Sequence, residues 1–302
     1  MAITDMRVLA EQYARWAYEP IAVPGSITDF TMYEGVMYDD KATPSKTTIK
    51  VTPALANTAI QVLRNGTEFP QTQTVKFSEK KTLTTKTTTT EGIKNTQSTK
   101  IGTKFSMGFK LEWLTGGFDY STEVTSTGEY NFTTATEHTT SNESLWEVTQ
   151  PVTVPPNSKV TAVLYIYETS FNVDFDLEAK IRGTKTSPIP TYYEYFSVKY
   201  KRKSDNRNVT VWFDAANLYD TKWPGKPSSF VGREVGGYYP LYFKGKGAST
   251  VRAGLYTEVE FRQEPLSGSS GEKKIWRTGP MIAPPEGVLP SGDLGDGIQV
   301  VN

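Results

Sequence analysis

The chain has 302 residues, with 33 basic and 33 acidic side chains, a formal net charge of zero and no cysteine. The balanced charge provides no global field that would favour nucleic acid as a partner. The lack of cysteine excludes a disulfide framework and thiolate chemistry. The length is enough to bury a sizeable core, either in one elongated unit or in two to three domains.

The N-terminal segment predicts a single amphipathic helix from about residue 5 to residue 17. Apolar residues recur at helical spacing from Met6 to Trp16, Asp5 precedes them and Pro20 follows them. Charges are scattered through this segment, so it does not resemble a secretory signal peptide. No apolar stretch reaches the roughly 18 residues of a membrane-spanning helix, so any membrane role must use β-structure or surface binding.

From about residue 28 the chain is rich in β-branched and aromatic residues, and turn signals recur at short intervals. Apolar side chains alternate with polar ones at Val160–Ile166, Phe171–Leu177 and Leu255–Phe261. Two Thr-rich stretches, 82–100 and 133–144, favour long polar strands because threonine has a high β-propensity. The sequence therefore predicts a mainly all-β, antiparallel protein with long strands.

The segment from about 100 to 130 predicts a β-hairpin with two dissimilar faces. Its apolar face contains Ile101, Phe105, Met107, Phe109, Leu111, Trp113, Phe118, Tyr120 and Val124. Its polar face contains Lys104, Lys110, Glu112, Asp119 and Glu123. A turn placed at Thr115-Gly116 puts Trp113 opposite Phe118 and Glu112 opposite Asp119.

This hairpin has two interpretations. It is either an ordinary sandwich hairpin with one face on a core, or a hairpin that crosses a bilayer. The arm from Ile101 to Trp113 exceeds the about 9–11 residues that a tilted membrane strand needs. Its mixed polar face suits a water-filled lumen, and Leu114 could anchor the tip at an interface. A single hairpin cannot span a bilayer alone, so the second interpretation predicts a homo-oligomer.

The sequence does not predict an enzyme. The one histidine, His138, lies among Thr and Ser and is interpreted as a solvated surface residue. Zinc spacing, a phosphate-binding glycine loop and a calcium loop are all missing from the sequence. We therefore expect no catalytic residue, no metal site and no cofactor.

Several stretches resemble the aerolysin-like epsilon-toxin/mosquitocidal-toxin family, and within it the small crystal-type toxins of spore-forming bacilli. They are the hairpin, the Thr-rich ribbon around it, QPVTVPPNSKVTAVLYIYETSFNVDFDL (150–177), QTQTVKFSEKKT (71–82) and GKGASTVRAGLYTEVEF (245–261). The resemblance covers about residues 60 to 265. It implies an elongated aerolysin-like β-structure and a monomer that binds a surface receptor, is trimmed by host proteases, oligomerises and inserts a hairpin.

The resemblance also implies a domain division. Residues 1–65 plus about 185–240 would form a receptor-binding head. Residues 66–184 plus 241–278 would form the elongated pore-forming region, and 279–302 a removable C-terminal tail. The expected site of synthesis is the bacterial cytoplasm, with storage as an inclusion and action on the plasma membrane of a target cell.

Candidate receptor contacts are aromatic residues of the predicted head that could stack on sugar rings or lie at lipid headgroups. They are Tyr192, Tyr193, Tyr195, Phe196, Tyr238, Tyr239 and Tyr242. The alternative is that they form the core of a β-domain. Candidate processing sites are Lys273, Lys274 and Arg277, and the receptor is a glycan or a protein. The competing function is a non-lytic carbohydrate- or cell-surface-binding β-sandwich.

Overall fold

The structure is a computed structural model that describes residues 2–94, 102–131, 137–186, 193–234, 240–282 and 299–300. Within these ranges it has one α-helix, α1 (Met6–Tyr18), and one 3₁₀ helix (Ala215–Tyr219), neither of which is long and apolar enough to cross a membrane. The strands are β1 (Ala2–Asp5), β2 (Thr28–Met32), β3 (Gly35–Pro44), β4 (Thr48–Lys50), β5 (Ala54–Asn65), β6 (Gln71–Lys94), β7 (Gly102–Thr115), β8 (Phe118–Asn131), β9 (His138–Val154), β10 (Ser158–Gly183), β11 (Lys185–Thr186), β12 (Tyr193–Glu194), β13 (Phe196–Lys201), β14 (Asn208–Phe213), β15 (Phe230–Arg233), β16 (Leu241–Pro265), β17 (Lys274–Arg277), β18 (Met281–Ile282) and β19 (Gln299–Val300). The predicted mainly all-β fold with a short N-terminal helix is confirmed.

Helix α1 begins after Asp5, whose carboxylate accepts hydrogen bonds from the backbone N–H groups of Arg7 (2.9 Å) and Val8 (3.4 Å). Such a cap satisfies donors that a helix N-terminus leaves unpaired, so the helix starts where the sequence predicts. Its buried stripe consists of Met6, Leu9, Ala10, Tyr13 and Ala14. This stripe packs into the core beside the head sheet, which is the three-stranded sheet β14–β13–β2.

Two long antiparallel strands form the centre of the molecule. β10 has 26 residues and pairs with β16 from Ser158↔Pro265 to Ile181↔Leu241. At about 3.3 Å per residue, β10 is about 85 Å long, so the molecule is elongated. Side chains along β10 alternate between buried and more exposed positions, because successive residues of a strand point to opposite faces.

The other edge of β10 is shared by two strands. β3 pairs with its C-terminal half, near the head sheet, and β5 pairs with its N-terminal part, Ser158–Glu168. β5 (Ala54–Asn65) therefore lies at the end of β10 remote from the head sheet. Residues 54–65, which the sequence analysis assigns to the head, belong spatially to the opposite end, because the chain crosses over after β4.

Strand β6 has two partners in succession. Its first part pairs with β9, from Gln71↔Val154 to Thr87↔His138, and its second part also pairs with β16, from Val251↔Thr85 to Lys246↔Glu91. The first part and β9 form one layer of a sandwich, and β5, β10, β16 and β17 form the other. Val75, Phe77, Trp146, Val148, Val160, Leu164 and Phe261 belong to the core between the layers. We call this part the sandwich, and β6–β16–β10–β3 the central sheet.

The C-terminal strands cover part of the edge of β16. β17 pairs with β16 from Gln263↔Lys274 to Glu260↔Arg277, and β18 pairs with it at Tyr256↔Ile282 and Thr257↔Met281. Short strand β19 pairs with the outer edge of β17. β17 and β18 therefore occupy backbone groups of β16 between Tyr256 and Gln263, on the edge that faces away from β10.

Candidate membrane-insertion hairpin

β7 and β8 form the predicted hairpin, but its register differs from the expected one. The turn consists of Gly116 and Gly117, both with left-handed backbone conformations (φ 57° and 82°), and Thr115 pairs with Phe118. Trp113 therefore faces Tyr120 rather than Phe118. Two left-handed residues are what a two-residue turn with the right twist requires, and β-branched Thr115 does not adopt that conformation readily. The shift is two residues, so the faces predicted for both arms are unchanged.

The apolar face of β7 is buried against the central sheet. Phe105, Met107, Phe109, Leu111 and Trp113 are all buried, and Phe109 is only 2% exposed. Their rings meet rings of β10 and β16. The distance between ring centroids is 5.2 Å for Phe105 and Phe175 and 5.4 Å for Phe109 and Phe171. Trp113 stacks on Tyr256 with a centroid distance of 5.9 Å. In this conformation the face predicted to meet lipid is hidden from water. Ile101 lies outside the described residues.

The apolar residues of β8 and of the tip are less covered. Tyr120 and Val124 are half-buried and pack against the same core. At the tip, Leu114 is 64% exposed and Phe118 is 58% exposed. Isolated exposed apolar residues are normal, but here two of them flank one turn. The tip therefore presents an apolar end to the solvent while the body of the hairpin is docked.

The charged face of the hairpin points outward. Lys104, Lys110, Asp119 and Glu123 are exposed, and Glu112 is half-buried. Lys110 Nζ lies 2.8 Å from Glu112 Oε1, and Lys110 pairs across the hairpin with Glu123. The expected unfavourable pairing of Glu112 with Asp119 does not occur, because the observed register places Ser121 opposite Glu112. Opposite charges thus alternate on this face.

A short segment that the sequence analysis did not single out holds the free edge of β7. β4 runs parallel to β7, with Ile49 opposite Leu111. The Lys110 N–H donates to the Thr47 carbonyl (2.7 Å), and the Val51 N–H donates to the Glu112 carbonyl (2.9 Å). We call residues 47–51 the clip. β4 has only three residues, so the clip is too short to show a detectable alternation of apolar and polar side chains in the sequence.

Polar contacts hold the other end of the hairpin. Ser126 of β8 and Thr85 of β6 are both buried, and their hydroxyl oxygens lie 2.9 Å apart. A Cβ at Gly128 would lie 2.5 Å from the ring of Phe105, so glycine is needed for this close approach. A cavity of about 650 Å³ lies between the clip and the tip, lined in part by Lys50, Trp113 and Asp119. The docking surface is therefore apolar in its middle, closely packed at the Ser126 end and looser at the end that carries the tip.

The candidate receptor residues separate into three groups. Tyr195 and Phe196 are completely buried, and Phe196 packs against Phe213 of the neighbouring strand in the head core. They cannot contact a receptor in this conformation, so the expectation that they do is wrong for the folded chain described here. Tyr193 and Tyr242 are half-exposed. Tyr192, Tyr238 and Tyr239 lie outside the described residues.

The candidate processing residues are all exposed, but they differ in backbone pairing. Lys273 is exposed and lies before β17 in a connecting segment, whereas Lys274 and Arg277 are the first and last residues of β17. Arg277 donates from Nε to the buried carboxylate of Glu260 (2.7 Å) and also contacts it through Nη2, and Arg262 Nε donates to the same carboxylate (2.5 Å). Burial raises the pKa of Glu260, but these hydrogen bonds outweigh it and hold that pKa below its usual value.

The prediction that His138 is a solvated surface residue is wrong. Its ring is half-buried, and its Nε2 atom is enclosed without a hydrogen-bond partner among the described residues. Among all the residues that the structure describes, no group of three or more His, Asp or Glu side chains is placed to hold a metal ion.

An elongated antiparallel fold that docks a two-faced hairpin on its central sheet defines the class of aerolysin-like β-toxins. The family model described as Clostridium epsilon toxin ETX/Bacillus mosquitocidal toxin MTX2 matches residues 25–275, so the chain belongs to this family of pore-forming toxins. The predicted family is thereby confirmed. Members of this family are in general not enzymes.

Curated and solved relatives agree with this assignment. The chain is 27% identical over 292 residues to the pesticidal crystal protein Cry15Aa of Bacillus thuringiensis subsp. thompsoni, covering 94% of this chain and 80% of that protein. It superposes on a structure of the Cry23Aa1 and Cry37Aa1 binary complex with a TM-score of 0.60, at 23% identity over 94% of this chain and 98% of the other. It superposes on a non-toxic crystal protein from Bacillus thuringiensis with a TM-score of 0.57, at 17% identity over 89% of this chain and 100% of the other. At these identities the two structures show the fold alone.

Proposed function

We propose that this chain is a pore-forming toxin that inserts its β7–β8 hairpin into a target-cell membrane as part of a β-barrel. The observation that carries the proposal is the docked hairpin, whose apolar face is buried while its charged face meets water. Each of its strands has 14 residues, more than the about 9–11 that a tilted membrane strand needs.

Both faces of the hairpin suit a barrel wall. The apolar face would exchange the rings of the central sheet for acyl chains, and the charged face would line a water-filled lumen. Lys110 and Glu123 face each other across the strands, so the lumen would carry both charge signs. Leu114 and Phe118 would anchor the tip in the far interface.

Several copies must take part. A lone hairpin in hydrocarbon would leave the backbone groups of both edges unpaired, at several kcal/mol for each group. Identical hairpins from neighbouring chains would pair these edges and close a ring. The proposed active state is therefore a homo-oligomer.

The contacts of the docked hairpin support a releasable state. Outside the clip, the described residues of β7 and β8 contact the central sheet through side-chain packing and form no backbone ladder with it. Trp113 Nε1 is buried and has no acceptor among the described residues. An unsatisfied buried donor costs about 1–3 kcal/mol, so leaving the docked site relieves a local penalty.

The proposed activation is proteolytic. Lys273 is the most accessible of the three predicted processing residues, because proteases bind extended, unpaired backbone and Lys274 and Arg277 lie in a paired strand. Cleavage there, followed by loss of β17 and β18, would uncover the edge of β16 between Tyr256 and Gln263. An uncovered edge is a template for pairing with another chain.

A non-lytic binding protein is the second candidate. The half-exposed tyrosines Tyr193 and Tyr242 favour it as much as they favour a receptor-binding head in a toxin. A crystal protein described as non-toxic has a similar fold, which is compatible with a binding protein of this architecture. The two candidates differ in whether the hairpin has to leave its site.

A reversible tether tests the release directly. Thr85 and Ser126 face each other at 2.9 Å, so Thr85→Cys/Ser126→Cys would place two near-isosteric thiols in position to form a disulfide in a chain without other cysteines. The oxidised variant, treated with trypsin, is added to dye-loaded vesicles made from membranes of a susceptible cell. We expect no dye release until a reductant is added, with unchanged binding to the vesicles.

The matched control is Lys199→Cys/Thr210→Cys, which tethers β13 to β14 inside the head sheet. It should release dye at the wild-type rate whether oxidised or reduced. Wild-type release by the oxidised Thr85→Cys/Ser126→Cys variant would overturn the proposed role of the hairpin. Vesicle binding without any release, even by the wild type, would favour the binding protein.

A further inference from the structure

An unusual row of side chains crosses the outer face of the central sheet near its head end. Lys180 of β10 pairs directly with Tyr38 of β3 on one side and Tyr242 of β16 on the other. Its neighbours Ala179 and Ile181 are buried, so Lys180 points outward. Its Nζ lies 6.0 Å from the centre of the Tyr38 ring and 5.4 Å from that of Tyr242.

Arg182 extends this row by one more ring. Its guanidinium carbon lies 5.4 Å from the centre of the Tyr38 ring and 4.5 Å from that of Tyr193, in β12. Tyrosines and cations therefore alternate across β16, β10 and β3 and the neighbouring strand β12. We call Tyr38, Tyr193, Tyr242, Lys180 and Arg182 the tyrosine platform. All three rings are half-exposed, and the cations fix their positions without burying them.

A backbone irregularity adds a carboxylate to the platform. The register of β3 against β10 shifts between Glu178 and Lys180, so Asp39 and Asp40 lie opposite the single residue Ala179 in a bulge. Asp39 has a left-handed backbone conformation (φ 51°), which is uncommon outside glycine, and its Oδ2 lies 2.9 Å from Lys180 Nζ. Bulges re-aim side chains and are frequent beside binding sites. A second carboxylate, Glu234, accepts a hydrogen bond from the Tyr242 hydroxyl (3.1 Å).

We infer that the tyrosine platform binds a neutral oligosaccharide. Sugar rings present C–H faces that stack on aromatic rings, and hydroxyl groups that need both donors and acceptors beside them. The platform supplies donors from Lys180 and acceptors from Asp39 and Glu234, while Arg182, whose Nε and Nη1 atoms are buried, packs against the rings of Tyr38 and Tyr193. Two cations and two carboxylates leave the site without net charge, which does not suit an anionic lipid headgroup. An apolar protein partner would leave these charged groups unpaired.

This inference rests on the proposed function only in that it names the receptor class of the toxin. Binding of the sugar and release of the hairpin use separate parts of the molecule, so each can fail alone. Tyr193 and Tyr242 are among the predicted receptor residues, whereas Tyr38, Lys180, Arg182 and Asp39 become visible only when distant strands are brought together.

The test uses the full-length chain on a printed array of neutral, sialylated and sulfated oligosaccharides. We expect the wild type to bind a subset of the neutral glycans, and Tyr38→Ala or Tyr193→Ala to weaken that binding about tenfold or more. Tyr38→Phe keeps the ring and should retain most of the binding. Tyr165→Ala is the matched control, since Tyr165 is a half-buried residue on β10 near the opposite end of the strand.

Thermal unfolding of each variant shows whether it is folded, and Tyr38→Phe keeps the test decisive if Tyr38→Ala is unstable. The inference is overturned if the wild type binds no neutral glycan, if it binds only acidic ones, or if Tyr38→Ala and Tyr193→Ala both bind like Tyr165→Ala. Dye release from receptor-free vesicles at high protein concentration is measured in parallel. Loss of glycan binding with normal release, or the reverse, separates this inference from the proposed pore.

Discussion

The hairpin and the sandwich are both built from two-faced antiparallel strands, but they are attached to the molecule in different ways. In the sandwich, β10 exchanges backbone hydrogen bonds with β16 on one side and β5 on the other. The hairpin has its own ladder, and among the described residues its backbone pairing with other strands is confined to the clip. An element attached mainly through side chains can leave by breaking only a short backbone pairing, here the one with the clip. Alternation alone therefore does not distinguish a permanent strand from a removable one.

The largest expected effects come from truncating one buried residue in each region. Leu164→Ala in the sandwich should lower the free energy of unfolding by about 2–5 kcal/mol, and Phe109→Ala on the hairpin by about 3–5 kcal/mol. Leu164→Ala should raise the exchange rate of amide hydrogens throughout β10 and β16. Phe109→Ala should do so mainly in β7 and β8, because the hairpin can open locally.

Hydrogen exchange measured by mass spectrometry on both variants checks this difference. Equal loss of protection in the hairpin and in β10 for Phe109→Ala would show that the two regions open together. In that case the hairpin is an ordinary part of the core.

A smaller effect is expected at the margin of the sandwich, where Glu260 holds β17 through Arg277. Glu260→Gln removes a charged hydrogen-bonding partner, and should weaken the attachment of β17 by about 1.5–3 kcal/mol. Since the pKa of Glu260 is lowered in the folded chain, its contribution is present above the ordinary glutamate pKa. It is lost as the pH falls through the lowered value.

Exchange of the β17 amides at neutral and acid pH measures this attachment. Acid should loosen β17 in the wild type and have little further effect in Glu260→Gln, while the docked apolar face of β7, which has no titratable group, should stay protected. Glu264→Gln is the control, because its exposed carboxylate forms a surface ion pair with Lys159 at 3.0 Å and does not contact Arg277. A pH effect on β17 that persists unchanged in Glu260→Gln would contradict the assignment.

The smallest expected effect is at the turn of the hairpin. Gly117 has φ 82°, so Gly117→Ala should destabilise the hairpin by about 1–2 kcal/mol. Gly108→Ala is the matched control in β7, since a Cβ there meets nothing within 4 Å. Denaturant unfolding compares the two, and equal midpoints would show that the turn does not depend on left-handed glycine.

The sequence predicts the elements whose pattern is long and regular. Helix α1, the long strands and both faces of the hairpin follow from periodicity, and they agree with the structure. The predicted register of the hairpin is wrong because it places the turn at Thr115-Gly116. The left-handed conformation that both turn residues adopt is accessible to the two glycines and unfavourable for Thr115. Turn chemistry, rather than alternation, sets the register.

Features that depend on distant strands could not be predicted. Tyr193 and Tyr195 are two residues apart, yet one is half-exposed and the other is buried, because the strand is interrupted at Tyr195. Tyr38 and Tyr242 are separated by most of the chain and meet only through Lys180. The clip is too short to have a period. Local patterns therefore show what forms a strand, and tertiary contacts decide what that strand can bind.

Strand β6 has a mechanical consequence. It belongs to the sandwich at its start and lies beneath the hairpin at its end, where Thr85 touches Ser126. An extended backbone has almost no slack, because it already spans nearly its maximal length per residue. A force that a neighbouring copy exerts on the sandwich would thus be transmitted along β6. The part of β6 that contacts the hairpin would be displaced with it.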